Sequence, residues 1–309
     1  MRSTKTIVAA LALVLMGYAS KAQSTKTNTK TTPSATDSLM NALDSTPKNE
    51  PVIATFKSTR LVLSQTTQTV KKNNLNFQII HRFGDFAGSN GGGRLAYGLD
   101  DINDVYIGFE YGITDNLNVD LGRSTIGGLI DLELKYAFLH QTIDNSIPIS
   151  ATVLGQYGVR PYGSFIDYSD RESYLGQLII SRKFSFLSLQ VSPTFVENNL
   201  PMPVGNEQQF FALQAATRIK LTNHTGFIID YAHSFSSYKQ VQDPLGFGYE
   251  VETGGHVFTL NITNARAVDE INYLSNSDAS YGKGQYRIGF TISRMFDFNK
   301  HKENTPGDK

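Results

Sequence analysis

The stretch Tyr286-Arg287-Ile288-Gly289-Phe290-Thr291-Ile292-Ser293-Arg294-Met295-Phe296-Asp297-Phe298 decides how this chain reads. Strand side chains alternate sides. Tyr286, Ile288, Phe290, Ile292, Phe296 and Phe298 therefore share one face, and Arg287, Thr291, Ser293 and Asp297 share the other. An aromatic-rich apolar face opposite a polar one, close to the C-terminus, is the pattern of a strand with lipid outside and a lumen inside. Arg294 falls on the apolar side. Near a membrane edge its long cation can reach the head groups.

The same period of two recurs upstream. Val105, Ile107, Phe109 and Tyr111 alternate with Tyr106, Gly108 and Glu110. Ile130, Leu132, Leu134, Tyr136 and Phe138 oppose Asp131, Glu133, Lys135 and Ala137. Counting all such segments predicts about twelve strands, each near the ~9–11 residues that a tilted membrane strand needs. Short links at 112–116, 140–146, around Ser185, 222–224 and 252–254 alternate with mostly longer ones, 125–128 being a short exception, as short periplasmic turns and longer external loops do. A soluble β-sandwich also alternates apolar and polar residues. Its packed face favours aliphatics, whereas Tyr and Phe crowd the apolar face here.

The N-terminus carries Arg2 and Lys5, an apolar run from Ile7 to Ala19, and Ser20-Lys21-Ala22 before Gln23. These are the parts of a cleaved secretory signal. Removing residues 1–22 leaves 25 basic and 28 acidic residues, a net charge of −3. That balance argues against a nucleic-acid partner. The chain contains no Cys, which excludes disulfides, thiolate metal sites and Cys nucleophiles. Residues 23–51, rich in Ser and Thr, read as a disordered periplasmic leader. Residues 52–74 precede the first barrel strand, 75–298 form the barrel, and 299–309 are a polar tail.

Several stretches resemble a known group: Ala54-Thr55-Phe56-Lys57-Ser58-Thr59-Arg60, His81-Arg82-Phe83-Gly84, Tyr111-Gly112-Ile113-Thr114-Asp115-Asn116-Leu117, His256-Val257-Phe258 and Gly289 to Phe296. Together they resemble an uncharacterised outer-membrane β-barrel family common in Bacteroidota, known as a domain of unknown function. The resemblance implies an outer-membrane barrel in a Gram-negative envelope and supplies no catalytic or ligand residues.

The expected fold is thus all-β, an antiparallel up-and-down transmembrane barrel. Glu110, Asp120, Asp131, Glu133, Lys135, Asp230 and Arg287 are the lumen candidates, because each opposes apolar positions. Charges of both signs in a narrow lumen can select solutes. They can equally neutralise one another in a lumen that is filled. Phe56, Lys57 and Arg60 are candidates for a plug, or for pairing at the seam. Asp100, Asp101, Asn103 and Asp104 cluster hard oxygen ligands, but their spacing is not that of an EF-hand. Gly88 to Gly93 lacks the Lys-Ser/Thr ending of a phosphate loop. No His-x-Ser pair places a nucleophile beside a base on one face, so an enzyme is not expected, and neither is a cofactor. Expected partners are outer-membrane lipid, the barrel-assembly machinery and small polar solutes. The function expected is a narrow passive channel or lumenal binding site; the alternative is a structural or interaction barrel with a filled lumen.

Overall fold

The computed structural model describes residues 49–88, 91–199, 208–237, 242–277 and 279–299. The signal, nearly all of the leader and the tail beyond Asn299 lie outside the described residues. The strands are β1 (Asn74–Asp85), β2 (Ile102–Gly112), β3 (Leu117–Ser124), β4 (Ile130–Leu139), β5 (Ser150–Val159) and β6 (Glu172–Lys183). They continue as β7 (Leu187–Asn198), β8 (Gln209–Lys220), β9 (Thr225–Ser234), β10 (Leu245–Thr253), β11 (His256–Thr263) and β12 (Arg287–Asp297). Each strand pairs antiparallel with its sequence neighbours, and β1 pairs with β12 to close the barrel. Closure leaves no unpaired edge, the condition for a sheet to sit in lipid.

Exposure along the strands is inverted relative to a soluble protein. In β2 the ring of Phe109 is 46% exposed, whereas the adjacent Glu110 is 2% exposed. In β4, Leu132, Leu134, Tyr136 and Phe138 face outward while Asp131, Glu133 and Lys135 are buried inside. The outer wall is therefore built for an apolar surrounding.

The turns at one end are made by local chemistry. Thr114 and Thr222 each accept backbone N–H groups two and three residues ahead, bending the chain at β2–β3 and β8–β9. Between β10 and β11 stand only Gly254 and Gly255, with φ of 47° and 96°. A two-residue hairpin of that hand needs positive φ at both positions, which Gly supplies without steric cost. The longer connections lie at the other end, with 125–129 as a short exception.

Two segments leave the wall and enter the lumen. Residues 55–70 go in from the short-turn end and return to it before β1 begins. The β11–β12 connection, expected as a long external loop, instead turns inward and carries helix α1 (Glu270–Asn276), whose first six residues are all buried. Because β1 and β12 pair directly, with Leu75 opposite Phe296 and Ile79 opposite Ile292, the inserted N-terminal segment takes no part in the seam.

Candidate functional site

The N-terminal insert is a small hairpin. Leu61 N–H donates to Ser64 O at 2.9 Å and Thr66 N–H to Thr59 O at 2.8 Å, with Arg60 and Gln65 bridged across it. Its tip is seated by the wall. Asp230 of β9 accepts the N–H groups of Leu63 and Ser64 at 2.8 and 2.9 Å, together with the Ser64 hydroxyl. Arg82 of β1 donates to Val62 O at 2.8 Å. Beside the tip, the wall has no side chain: a Cβ added at Gly246 would lie 2.5 Å from Val62 Cγ1, and one at Gly248 would lie 2.8 Å from Val62 Cγ2. These two glycines of β10 make the recess that Val62 fills.

Below the tip the hairpin meets a ladder of carboxylates. Glu110, Asp120 and Glu133 stand directly opposite one another across β2, β3 and β4, with Asp131 two residues before Glu133 on β4. Like charges opposed on one face repel, and all four are buried. The hairpin supplies compensation. Arg60 donates to Glu133 at 3.1 Å and lies 5.1 Å over the ring of Tyr106, whose hydroxyl donates to Asp131 at 3.0 Å. Gln65 donates to the second oxygen of Glu133 at 2.6 Å. Lys135 reaches Glu110 at 3.3 Å and Gln65 Oε1 at 2.8 Å. Even so, Asp120 Oδ1 and Asp131 Oδ1 have no hydrogen-bond partner among the described residues.

The other side of the lumen differs from the expected polar lining. Leu154, Leu175, Ile179, Val196, Phe210 and Ile228 point inward from β5 to β9 and pack with Phe56, Leu61, Val62 and Leu63 of the hairpin and Ile271, Tyr273 and Leu274 of α1. The lumen thus has a charged flank on β2–β4, and on β5–β9 a flank where apolar residues are interspersed with polar ones such as Gln156, Gln177, Gln190 and Gln214. Where inward Leu175 and Ile179 are interleaved with outward residues that are also apolar, such as Leu178 and Ile180, the hydropathy period of two is lost.

Helix α1 is capped by Asp269, which accepts the N–H of Asn272 at 3.2 Å and also a bond from Gln156. Its first residue, Glu270, accepts the N–H of Gln65 at 2.9 Å. The two inserts therefore meet inside the barrel. Arg82 secures this loop as well, donating to Ala267 O.

At the short-turn end the neck of the N-terminal insert runs along the β4–β5 turn. Pro51 bridges Thr142, Val52 N–H donates to Gln141 O at 2.7 Å, and Ile143 N–H donates to Glu50 O at 2.9 Å. In that turn, hydrogen bonds from Thr142 and then Ser146 hold the exposed Asp144 carboxyl down to about 2.

All seven lumen candidates are buried inside the barrel. Six of them lie in the contacts above or beside them, and Arg287 pairs with Asp85 at 2.9 Å toward the long-loop end. Of the plug candidates, Phe56 and Arg60 lie in the lumen, and Lys57 stays at the mouth, 2.7 Å from Glu252. The four oxygen-rich residues do not converge on one point. Asp104 is buried and accepts from Ser124, Thr125 and Val268, Asn103 holds Phe83 O, and Asp101 caps Ile102. No group of three or more metal-ligating side chains gathers among the described residues. Arg294 is exposed on the outer face, 4.8 Å over Phe296. The sequence did not point to Gln65, Arg82, Gly246, Gly248 or α1. Their roles depend on what lies opposite them, and period and composition carry no signal of that.

The family described as "Membrane bound beta barrel domain (DUF5777)" matches residues 56–296. The chain belongs to this family. Its matched span takes in the hairpin insert as well as all twelve strands, so the insert is part of the family's domain. No curated protein matches. Among solved structures, an outer membrane channel from Pseudomonas putida F1 is 9% identical with a TM-score of 0.48, covering 74% of this chain and 98% of that one. The NanC porin is 9% identical at 0.43, with 72% and 100% covered. The KdgM porin is 5% identical at 0.41, with 73% and 99% covered.

Proposed function

We propose that this family member is an outer-membrane channel for small polar solutes whose lumen is closed by two inserts. The short-turn end then faces the periplasm and the long-loop end the exterior. The observation that carries the reading is the independence of the seam from the hairpin. Residues 55–70 enter and leave by one mouth, and the barrel closes through β1 and β12 without them. The hairpin can therefore withdraw without breaking a strand pair.

Barrel width supports the same reading. About eight strands enclose a space that wall side chains can fill, and larger barrels leave a lumen. Twelve strands need added chain to close them. Removing the hairpin would take Arg60 away and leave Glu110, Asp120, Asp131 and Glu133 facing the lumen with Lys135 as the nearby cation. Such a ring favours cationic over anionic solutes.

The apolar packing on β5–β9 favours a second reading, a structural barrel with a permanently filled lumen. Planar-bilayer conductance separates the two. The intact protein is compared with a form lacking 52–70, and with one that also has 265–279 replaced by a short Gly-Ser linker. Heat-modifiable gel mobility confirms that each is folded. Conductance steps on removal of the hairpin, larger once both inserts are gone, support the channel. Silence from the folded double deletion rejects it in favour of the filled barrel.

A further inference from the structure

The short-turn end carries a second constellation, at the mouth of the lumen. A cavity of about 260 Å³ lies between the neck of the hairpin insert and the ends of β6, β7 and β8. Lys57, Lys183, Arg218 and Lys220 all line it, with Ser185 and Ser188. Four cations drawn around one small space repel unless something between them is negative.

The protein's own carboxylates neutralise two of the four. Lys57 pairs with Glu252 and Arg218 with Glu250, each at 2.7 Å. Lys183 donates instead to the carbonyls of Ile53 and Ala54, at 2.9 and 3.0 Å, and these carry no net charge. Lys220 forms no ion pair among the described residues. The cavity is left with two uncompensated positive charges.

We infer that this cavity binds the phosphate group of a phosphate-bearing ligand. A phosphate mono- or dianion matches the excess charge, and lysine ammonium groups bind phosphate as point charges. An adjoining cavity of about 450 Å³ shares Lys183 and Ser185 and runs past Val52 and Phe184. It provides room for whatever the phosphate is attached to. The phosphate can come from a lipid head group at the membrane surface or from a soluble phosphate ester. Lys57 belongs to the insert and the other three cations to the barrel rim, so an occupied cavity ties the neck to the wall. The binding site itself does not depend on whether the lumen conducts.

The test uses the full chain folded in non-ionic detergent, titrated calorimetrically with inorganic phosphate and with glycerol phosphate. A parallel arm compares nanodiscs containing phosphatidylglycerol with nanodiscs of phosphatidylcholine alone, scoring retained lipid by mass spectrometry. Saturable binding is expected in at least one arm, weakened at least about tenfold by Lys183→Gln or Lys220→Gln, the effect of losing a charged hydrogen bond. Lys71→Gln, outside the cavity, should leave it unchanged. Binding of the soluble probes assigns a soluble ester, and retention of phosphatidylglycerol alone assigns a head group. The absence of saturable binding in both arms overturns the site, as does binding that survives the Lys183→Gln/Lys220→Gln double variant. If Lys183→Gln does not fold, Lys220→Gln on the exposed rim decides alone.

Discussion

Arg60 and Glu133 are 73 residues apart in sequence and form a 3.1 Å ion pair inside the barrel, each with its side chain 2% exposed. One belongs to an insert and the other to the wall, so this contact registers the hairpin against the carboxylate ladder. Removing one partner of a buried pair strands the other charge at a cost of about 3–5 kcal/mol. Glu133→Ala should therefore loosen the hairpin, and trypsin should cut the folded protein after Arg60. The paired replacement Arg60→Met with Glu133→Leu should restore much of the protection to the rest of the hairpin, read at Lys57.

The Val62 recess gives a test that leaves the hairpin sequence intact. Gly248→Val puts a side chain where Val62 Cγ2 now sits, and should lift the tip from Asp230. Channel activity should appear in the otherwise intact protein. Adding Val62→Ala should suppress it again. Activity that is absent from Gly248→Val, in a barrel shown to be folded, would count against a removable hairpin.

The same recess permits a lock. A Cβ at Gly246 would lie 3.2 Å from Val62 Cβ, slightly closer than the ~3.5–4.5 Å of bridged cysteines, so a shift of a few tenths of an ångström brings the two into bridging range. The chain has no Cys of its own, so Val62→Cys with Gly246→Cys makes a single possible disulfide. With Glu133→Ala added, the oxidised double variant should resist trypsin after Arg60, and reduction should restore the cut.

Tyr106 lies flat against the inner wall, over positions occupied by Gly108 and Gly122. A Cβ at Gly108 would approach its Cε1 to 2.8 Å, and one at Gly122 would collide with its hydroxyl end. Gly122→Ala should push the ring away from Asp131 and from beneath Arg60, and destabilise the barrel more than Tyr106→Phe does. The latter removes one hydrogen bond, worth about 0.5–1.5 kcal/mol. Denaturant midpoints of the two variants check the order.

If the ladder sets selectivity once the hairpin is gone, then Glu110→Gln with Asp120→Asn in the form lacking 52–70 should reduce cation preference. Reversal potentials across a salt gradient measure this. An unchanged potential in a conducting barrel would remove these two residues from the constriction.

The strands could be read in advance because a membrane strand must keep one face apolar over its whole length. Ile107, Phe109 and Tyr111, or Leu132, Leu134 and Tyr136, show this without any partner being known. The inward placement of Glu110, Asp131 and Glu133 follows from the same alternation. Leu175 and Ile179 were harder to place. With Leu178 and Ile180 beside them the run is apolar on both faces, and alternation cannot say that an apolar residue points into a lumen.

The sequence by itself therefore determined the wall: about twelve antiparallel strands, which face meets lipid, and which charges turn inward. These follow from a local rule, the two-residue repeat of a strand, and from turns such as Gly254-Gly255 that need no distant partner. Only the tertiary structure decided what stands inside the wall. The Arg60–Glu133 pair, the seat of Val62 between Gly246 and Gly248, and the contact of Gln65 with Glu270 each join residues far apart in the chain. The energy of such contacts depends on three-dimensional complementarity, which no repeat in the sequence records.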